Sequence, residues 1–206
     1  MSELSAERSV DAPEVFAEHT IESAPPGARR SMAATRSHLG YLPAPVARMA
    51  ASPQLLDGFL RLNAIFENSA LDPLAREVIV MTIATRNGCH VCVAMHTGRL
   101  TALGADADLI GALRTSRSLT DPRLDAVRMF TLQVLDTAGD VPDAALHAFF
   151  AHGYTRQNAL DVVLGIGTYT MSTLANRLTR APLDDQLADF AWQDREAAED
   201  IVRHGS

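Results

Sequence analysis

The chain reads as an all-α protein built of antiparallel helix pairs, with a Cys-x-x-Cys at the N-terminus of a core helix. Two observations carry that class. Helix starts recur in one form, a short polar residue followed by proline, at Ser52-Pro53, Asp72-Pro73 and Asp121-Pro122. The polar side chain caps the free N–H groups of a first turn, and proline tolerates the first helical position. The β-branched runs Val78-Ile79-Val80 and Val162-Val163 sit inside longer 3.6-residue patterns rather than in alternating ones, so no segment reads as a strand.

The elements follow in order. Residues 1–30 are polar and broken by Pro13, Pro25, Pro26 and Gly27, and read as an N-terminal arm. Residues 31–206 read as one helical domain. A short helix is expected at 31–38. Gly40 through Pro45 reads as a loop, because each proline disfavours helix in the residue before it. Ser52-Pro53 opens a helix to about Asn68, and Asp72-Pro73 opens one to about Arg86. Asn87-Gly88 breaks the chain, and the next helix runs from Cys89 to Leu103, stopped by Gly104. A short helix fits 106–115. Asp121-Pro122 starts one to Thr137, and Pro142 starts one ending near His152-Gly153. Thr155 caps a long apolar helix to about Leu178. A last amphipathic helix is expected over 183–203, with Leu183, Leu187, Phe190 and Trp192 as its contacts.

Composition limits the function. Apolar residues make up 47% of 206, enough for a core, yet no apolar run reaches the roughly 18 residues of a membrane span. The net charge is −7 and basic residues do not cluster, so neither nucleic acid nor membrane is an expected partner. The polar, acidic start does not look like a secretory signal, and a cytoplasmic location is the default. In that setting a close cysteine pair points to catalysis, redox chemistry or metal binding rather than a staple.

The two cysteines of the chain, Cys89 and Cys92, stand three apart in Asn87-Gly88-Cys89-His90-Val91-Cys92, with His96 four residues on. On a helix the three share one stripe. The helix start favours a thiolate at Cys89. Cys92, one turn on, can close a disulfide, and His96 can exchange a proton with it. Glu77 completes the set: if the helices flanking Asn87-Gly88 fold back on each other, Glu77 comes level with His96 and can orient its ring. As a first-turn glutamate it is expected to contribute only about 0.3–1 kcal/mol to stability. A metal site on Cys89, Cys92, His96 and Glu77 is the competing use, but one helix face makes a poor tetrahedral cage and no second paired knuckle exists. No metal or cofactor is therefore expected. His90 points off the stripe. Gly165-Ile166-Gly167 follows no strand and lacks a third glycine, so close helix approach accounts for it better than phosphate binding. His147 and His152 have no visible partners.

A faint internal echo runs at a spacing of 49: Asp72-Pro73, Val78 and Thr82 match Asp121-Pro122, Val127 and Thr131. In the second copy Glu77, Cys89, Cys92 and His96 become Ala126, Ala138, Val141 and Ala145, which carry no chemistry.

Glu77, eleven residues, Cys89-His-Val-Cys92, three residues, His96 resembles the signature of the alkylhydroperoxidase AhpD-like group within the carboxymuconolactone decarboxylase superfamily. Leu71-Asp-Pro through Glu77, Gly153-Tyr-Thr, Ala175-Asn176-Arg-Leu and Ala181-Pro-Leu-Asp extend the likeness toward its peroxidase-related branch, over roughly residues 35–190. The resemblance implies an AhpD-like helical fold and homo-oligomers. It implies a thiol–disulfide centre on Cys89 and Cys92 with a Glu77–His96 proton relay, of antioxidant, peroxiredoxin-type activity. The expected substrate is a hydroperoxide or small disulfide, and the electron donor a thiol reductant or peroxiredoxin partner. By position Cys92 would be the thiol served by the relay, whereas the helix dipole favours Cys89 as the more acidic one. The auxiliary histidine that the family places before its second cysteine is Val91 here, with His90 one residue earlier. The alternative enzyme is a carboxymuconolactone decarboxylase type acting on a small carboxylic acid through Glu77 and His96 alone. A non-catalytic helical oligomer is the third reading.

Overall fold

A computed structural model describes residues 15–193. Among them there are nine α-helices and one 3-10 turn, and no strand. In chain order they are α1 Pro26–Leu39, α2 Ala44–Met49, α3 Pro53–Glu67, α4 Pro73–Arg86, α5 His90–Ala102, α6 Ala107–Arg114, α7 Pro122–Asp136, α8 Asp143–Ala151 and α9 Arg156–Leu178, followed by the 3-10 turn Asp185–Phe190.

The capping signals act as the sequence indicates. Ser52 accepts from Leu55 N, Asp72 from Ala75 N, and Asp121 from both Arg123 N and Leu124 N. Thr155 and Asn158 form a reciprocal capping box at the start of α9. Each satisfies N–H groups that a first turn leaves free.

Three expectations are corrected. The first helix starts at Pro26 rather than 31. Pro25 and Pro26 read as breakers, but Pro26 occupies a first-turn position that needs no N–H. The expected loop at 40–45 runs into a short helix, α2, for the same reason: Pro43 is its cap and Pro45 lies in its first turn. The expected long helix from 183 is instead the 3-10 turn, with residues 191–193 irregular. Its remainder lies outside the described residues, as do residues 1–14 of the arm.

The main core gathers on α4, whose residues from Glu77 to Ala84 are all buried. This helix packs against α5, α7 and α9, and those four place the cysteines. A second, smaller core joins α1, α2 and α3 around Met32, Met49 and Leu56. The 3-10 turn lies on the outer side of α5. There Gly98 admits the Phe190 ring so closely that a Cβ would stand 3.0 Å from it. Arg114 fixes that segment by donating to the carbonyls of Phe190 and Ala191, while Trp192 Nε1 donates to Arg114 O. None of the described helices is long and apolar enough to cross a membrane.

The internal echo has a structural counterpart. Thr82 donates to Val78 O at 2.6 Å and Thr131 to Val127 O at 2.7 Å, so both copies carry the same cap and the same side-chain bond. The two helices pack together, and Arg123 Nη1 at the second start lies 2.7 Å from Asp72 Oδ2 at the first. The correspondence ends there, because α5 follows α4 directly at His90 whereas α8 begins only at Asp143.

Candidate functional site

The turn between α4 and α5 sets the site. Gly88 takes φ +60°, a left-handed conformation that glycine adopts without a Cβ clash, and Cys89 N then donates back to Ala84 O. Cys89 is thereby the N-cap of α5, with Cys92 one turn inside. Their sulfurs stand 2.6 Å apart, and both thiols are free and buried.

From the far side α9 grips this turn. Asn87 Nδ2 donates to Thr173 Oγ1 at 2.8 Å, and Arg177 Nη1 donates to the carbonyls of Asn87 and Gly88 at 2.6 and 2.8 Å. Asn176 Nδ2 donates to Cys92 Sγ at 3.3 Å and lies 3.9 Å from Cys89 Sγ. Asn176 is 5% exposed, and its Oδ1 has no hydrogen-bond partner among the described residues.

These neighbours divide the two thiols. The hydrogen bond from Cys92 holds Cys89 below the ordinary thiol value, overcoming the burial that raises it, with help from Asn176 and the Arg177 charge. The same hydrogen bond, burial and the charge on Cys89 push Cys92 well above that value, against smaller opposing effects of Asn176 and Ser172. Of the two thiols Cys89 is therefore the more acidic, in accord with its place at the helix start.

Glu77 and His96 meet across the α4–α5 pair. His96 Nδ1 is 2.7 Å from Glu77 Oε2, and both side chains are buried. Burial alone would raise the Glu77 carboxyl, but His96, Arg99 and Arg76 outweigh it and hold the group below its ordinary range. An ionised carboxylate accepts only, so in the neutral ring Nδ1 carries the hydrogen and Nε2 is the free base. The other oxygen, Oε1, faces Arg99 Nε at 3.2 Å, and Arg99 reaches on to Glu67 at 2.6 Å. The Tyr169 ring packs edge-on against His96 with centroids 5.2 Å apart, and its hydroxyl donates to Asn63 Oδ1 at 2.7 Å.

The structure thus brings together Cys89 with Cys92, and Glu77 with His96, and puts Cys92 and His96 one turn apart on α5. His90 lies on the exposed side of α5, where burial of part of its ring and the Arg177 charge lower its pKa. Gly165 does serve close approach: a Cβ there would stand 2.7 Å from the Phe66 ring. Gly167 does not, since a Cβ would meet nothing within 4 Å. Sequence reasoning passed over Asn176, Arg99, Tyr169 and Arg177. Arg99 had a signal, standing three residues after His96 and hence on the same helix face. Asn176, 84 residues from Cys92, had none beyond its place in the Ala175-Asn176-Arg-Leu run. Among the described residues no group of three or more His, Cys, Asp or Glu side chains is arranged to hold a metal ion.

Residues 53–130 match the carboxymuconolactone decarboxylase family. No curated protein matches the chain. Among solved structures, one from Ralstonia eutropha JMP134, described as an alkylhydroperoxidase AhpD core and an uncharacterized peroxidase-related protein, superposes with TM-score 0.74 at 19% identity. The match covers 84% of this chain and 93% of that one. A peroxidase-related protein from Silicibacter sp. TM1040 gives TM-score 0.69 at 17% identity, over 87% and 96% of the two chains. A cysteine-to-alanine variant of the debrominase Bmp8, in complex with 2,3,4-tribromopyrrole, gives 0.67 at 13%, over 89% and 97%. At these identities the likeness establishes the fold, which is AhpD-like.

Proposed function

From a chain that carries a carboxymuconolactone decarboxylase family segment on an AhpD-like fold, we propose a thiol-dependent oxidoreductase that reduces a hydroperoxide through Cys89 and Cys92. The observation that carries the proposal is the sulfur pair, 2.6 Å apart at a helix start, with one thiol acidified at the expense of the other.

Cys89 thiolate attacks the terminal oxygen of the hydroperoxide. An S–O bond forms, the O–O bond breaks, and the alkoxide leaves and takes a proton. The sulfur loses two electrons and becomes a sulfenic acid. Cys92 then gives its proton to His96 Nε2 and attacks the Cys89 sulfur. The disulfide forms, and hydroxide leaves as water with the proton His96 returns. Glu77 holds the ring in the required tautomer and balances the imidazolium. Under this reading the two positional arguments are reconciled: the helix start ionises Cys89, and the relay serves Cys92 in the second step. A dithiol reductant or a peroxiredoxin partner restores the thiols, as suits a cytoplasmic setting. A self-associated protein is part of the proposal, supported by the exposed leucines and valine along α9.

The test is consumption of cumene hydroperoxide with dithiothreitol by wild type, Cys89→Ser, Cys92→Ser and the double variant. Turnover should vanish in Cys89→Ser and in the double variant. Full turnover without either cysteine would leave only an acid–base enzyme on Glu77 and His96.

A further inference from the structure

Asn176 carries a polar atom that the mechanism above does not use. Its amide nitrogen faces the sulfurs, 3.3 Å from Cys92 and 3.9 Å from Cys89, yet its oxygen is buried with no hydrogen-bond partner among the described residues. A buried amide oxygen left without a donor costs about 1–3 kcal/mol. Most such groups in folded proteins are satisfied, so one beside a reactive sulfur asks for a donor that arrives during the reaction.

Resting on the hydroperoxide reading, we propose that Asn176 Oδ1 is the substrate acceptor of this site and selects reactants whose terminal oxygen bears a hydrogen. The chemistry fits step by step. In R–O–O–H the attacked oxygen is the one carrying hydrogen, and that O–H donates to Oδ1. When Cys89 attacks, the S–O bond forms and the O–O bond breaks, but the O–H bond survives into the sulfenic acid. The same hydrogen bond is therefore kept from substrate to intermediate. Meanwhile Cys92 becomes the thiolate, and the Asn176 N–H on its sulfur steadies that charge. One carboxamide serves both ends: its oxygen holds the oxidised sulfur's hydroxyl and its nitrogen the attacking sulfur. A dialkyl peroxide or a disulfide has no such hydrogen and leaves Oδ1 unmet.

Two variants separate the ends of the amide. Asn176→Leu keeps the shape and loses donor and acceptor. Asn176→Asp keeps an acceptor oxygen and loses the donor. Each is assayed with cumene hydroperoxide and with the disulfide probe dithiobis(nitrobenzoate), alongside helicity and thiolate absorbance against pH. For Asn176→Leu the ratio of hydroperoxide to disulfide turnover should fall by about tenfold, the order that one buried hydrogen bond supplies. For Asn176→Asp the ratio should hold, compared at a pH where Cys89 is ionised, while the thiol titration moves up. An unchanged ratio in a folded Asn176→Leu overturns the inference, as does a ratio that collapses in Asn176→Asp. If only the Asp variant folds, an unmoved thiol titration overturns it. Wild type that reduces the disulfide probe but no hydroperoxide also overturns it. Wild type inert to both probes instead removes the thiol reading beneath it.

Discussion

Glu77 Oε2 lies 2.7 Å from His96 Nδ1 across the α4–α5 pair, although the residues stand 19 apart in the chain. The contact places the carboxylate where it can orient the His96 ring. The carboxylate that makes it is only 3% exposed.

Removing that charge should affect both turnover and folding. Glu77→Gln should lower peroxidase turnover by about 10²-fold, within the range of general acid–base assistance. It also leaves Arg99, which retains Glu67, without its second partner, so the stability cost should reach about 1–3 kcal/mol. That exceeds the 0.3–1 kcal/mol a solvated helix-start glutamate would contribute. Denaturant melts and turnover of Glu77→Gln, His96→Gln and the double variant check both. If the pair acts as one unit, the double variant should be little worse in turnover than either single one.

The same carboxylate should show in acid unfolding. Its folded pKa lies below the ordinary 4.5, so ionisation stabilises the fold at pH above that value. The contribution is lost as pH falls below 4.5 and through the folded value. Between neutral pH and 5 it is constant. Wild type should therefore lose stability on acidification below pH 4.5 more steeply than Glu77→Gln. Parallel curves for the two proteins would mean the carboxylate is not held ionised.

Cys89 should alkylate first. Its pKa is lowered chiefly by the hydrogen bond from Cys92, so pH-dependent alkylation mapped by mass spectrometry should give Cys89 a midpoint below the ordinary 9.0, with Cys92 reacting only at higher pH. Cys92→Ala removes that donor, and the Cys89 midpoint should rise. Mild peroxide should protect both thiols together in wild type, and chelation should leave activity and helicity unchanged.

The two glycines of α9 should respond in opposite directions. At Gly165 a methyl would stand 2.7 Å from Phe66 Cε2 and 3.1 Å from Ile79 Cγ2, both in the core, so Gly165→Ala should cost about 1–3 kcal/mol. At Gly167 the space is open, and Gly167→Ala should stabilise by up to about 1 kcal/mol through helix propensity alone. Thermal melts of both decide. Equal destabilisation would place Gly167 against another surface, such as a second copy.

Self-association should run through that helix. Leu160, Val163, Leu174 and Leu178 recur along α9 and are exposed, Leu178 at 70%. Leu160→Glu with Leu178→Glu should shift the protein toward monomer in light scattering without loss of helicity. An unchanged mass would put any interface elsewhere.

How far the sequence carried the reading can be judged at particular residues. Asp72, Asp121, Ser52 and Thr155 announce their helices because a cap is a local device, made by one side chain and the three residues after it. The Glu77–His96 contact was legible because the turn at Asn87-Gly88 fixes the register of two adjacent helices. Pro26 and Pro45 misled because proline marks both a break and a first turn, and the residues that decide lie elsewhere in the core. The packing of Phe190 over Gly98, and Asn176 beneath the sulfurs, depend on segments far away in the chain, which no local pattern encodes.

The distance between Asn176 and the cysteines has a consequence for how the protein is made. Glu77, Cys89, Cys92 and His96 leave the ribosome within twenty residues of one another. Two residues that contact them, Tyr169 beside His96 and Asn176 beside the sulfurs, are made much later, on α9. Throughout that interval the two thiols lack the α9 side chain that donates to Cys92 in the finished fold. Under the proposed thiol chemistry the half-made protein would be less discriminating than the finished one, and its safe assembly would depend on the reducing power of the compartment in which it is translated.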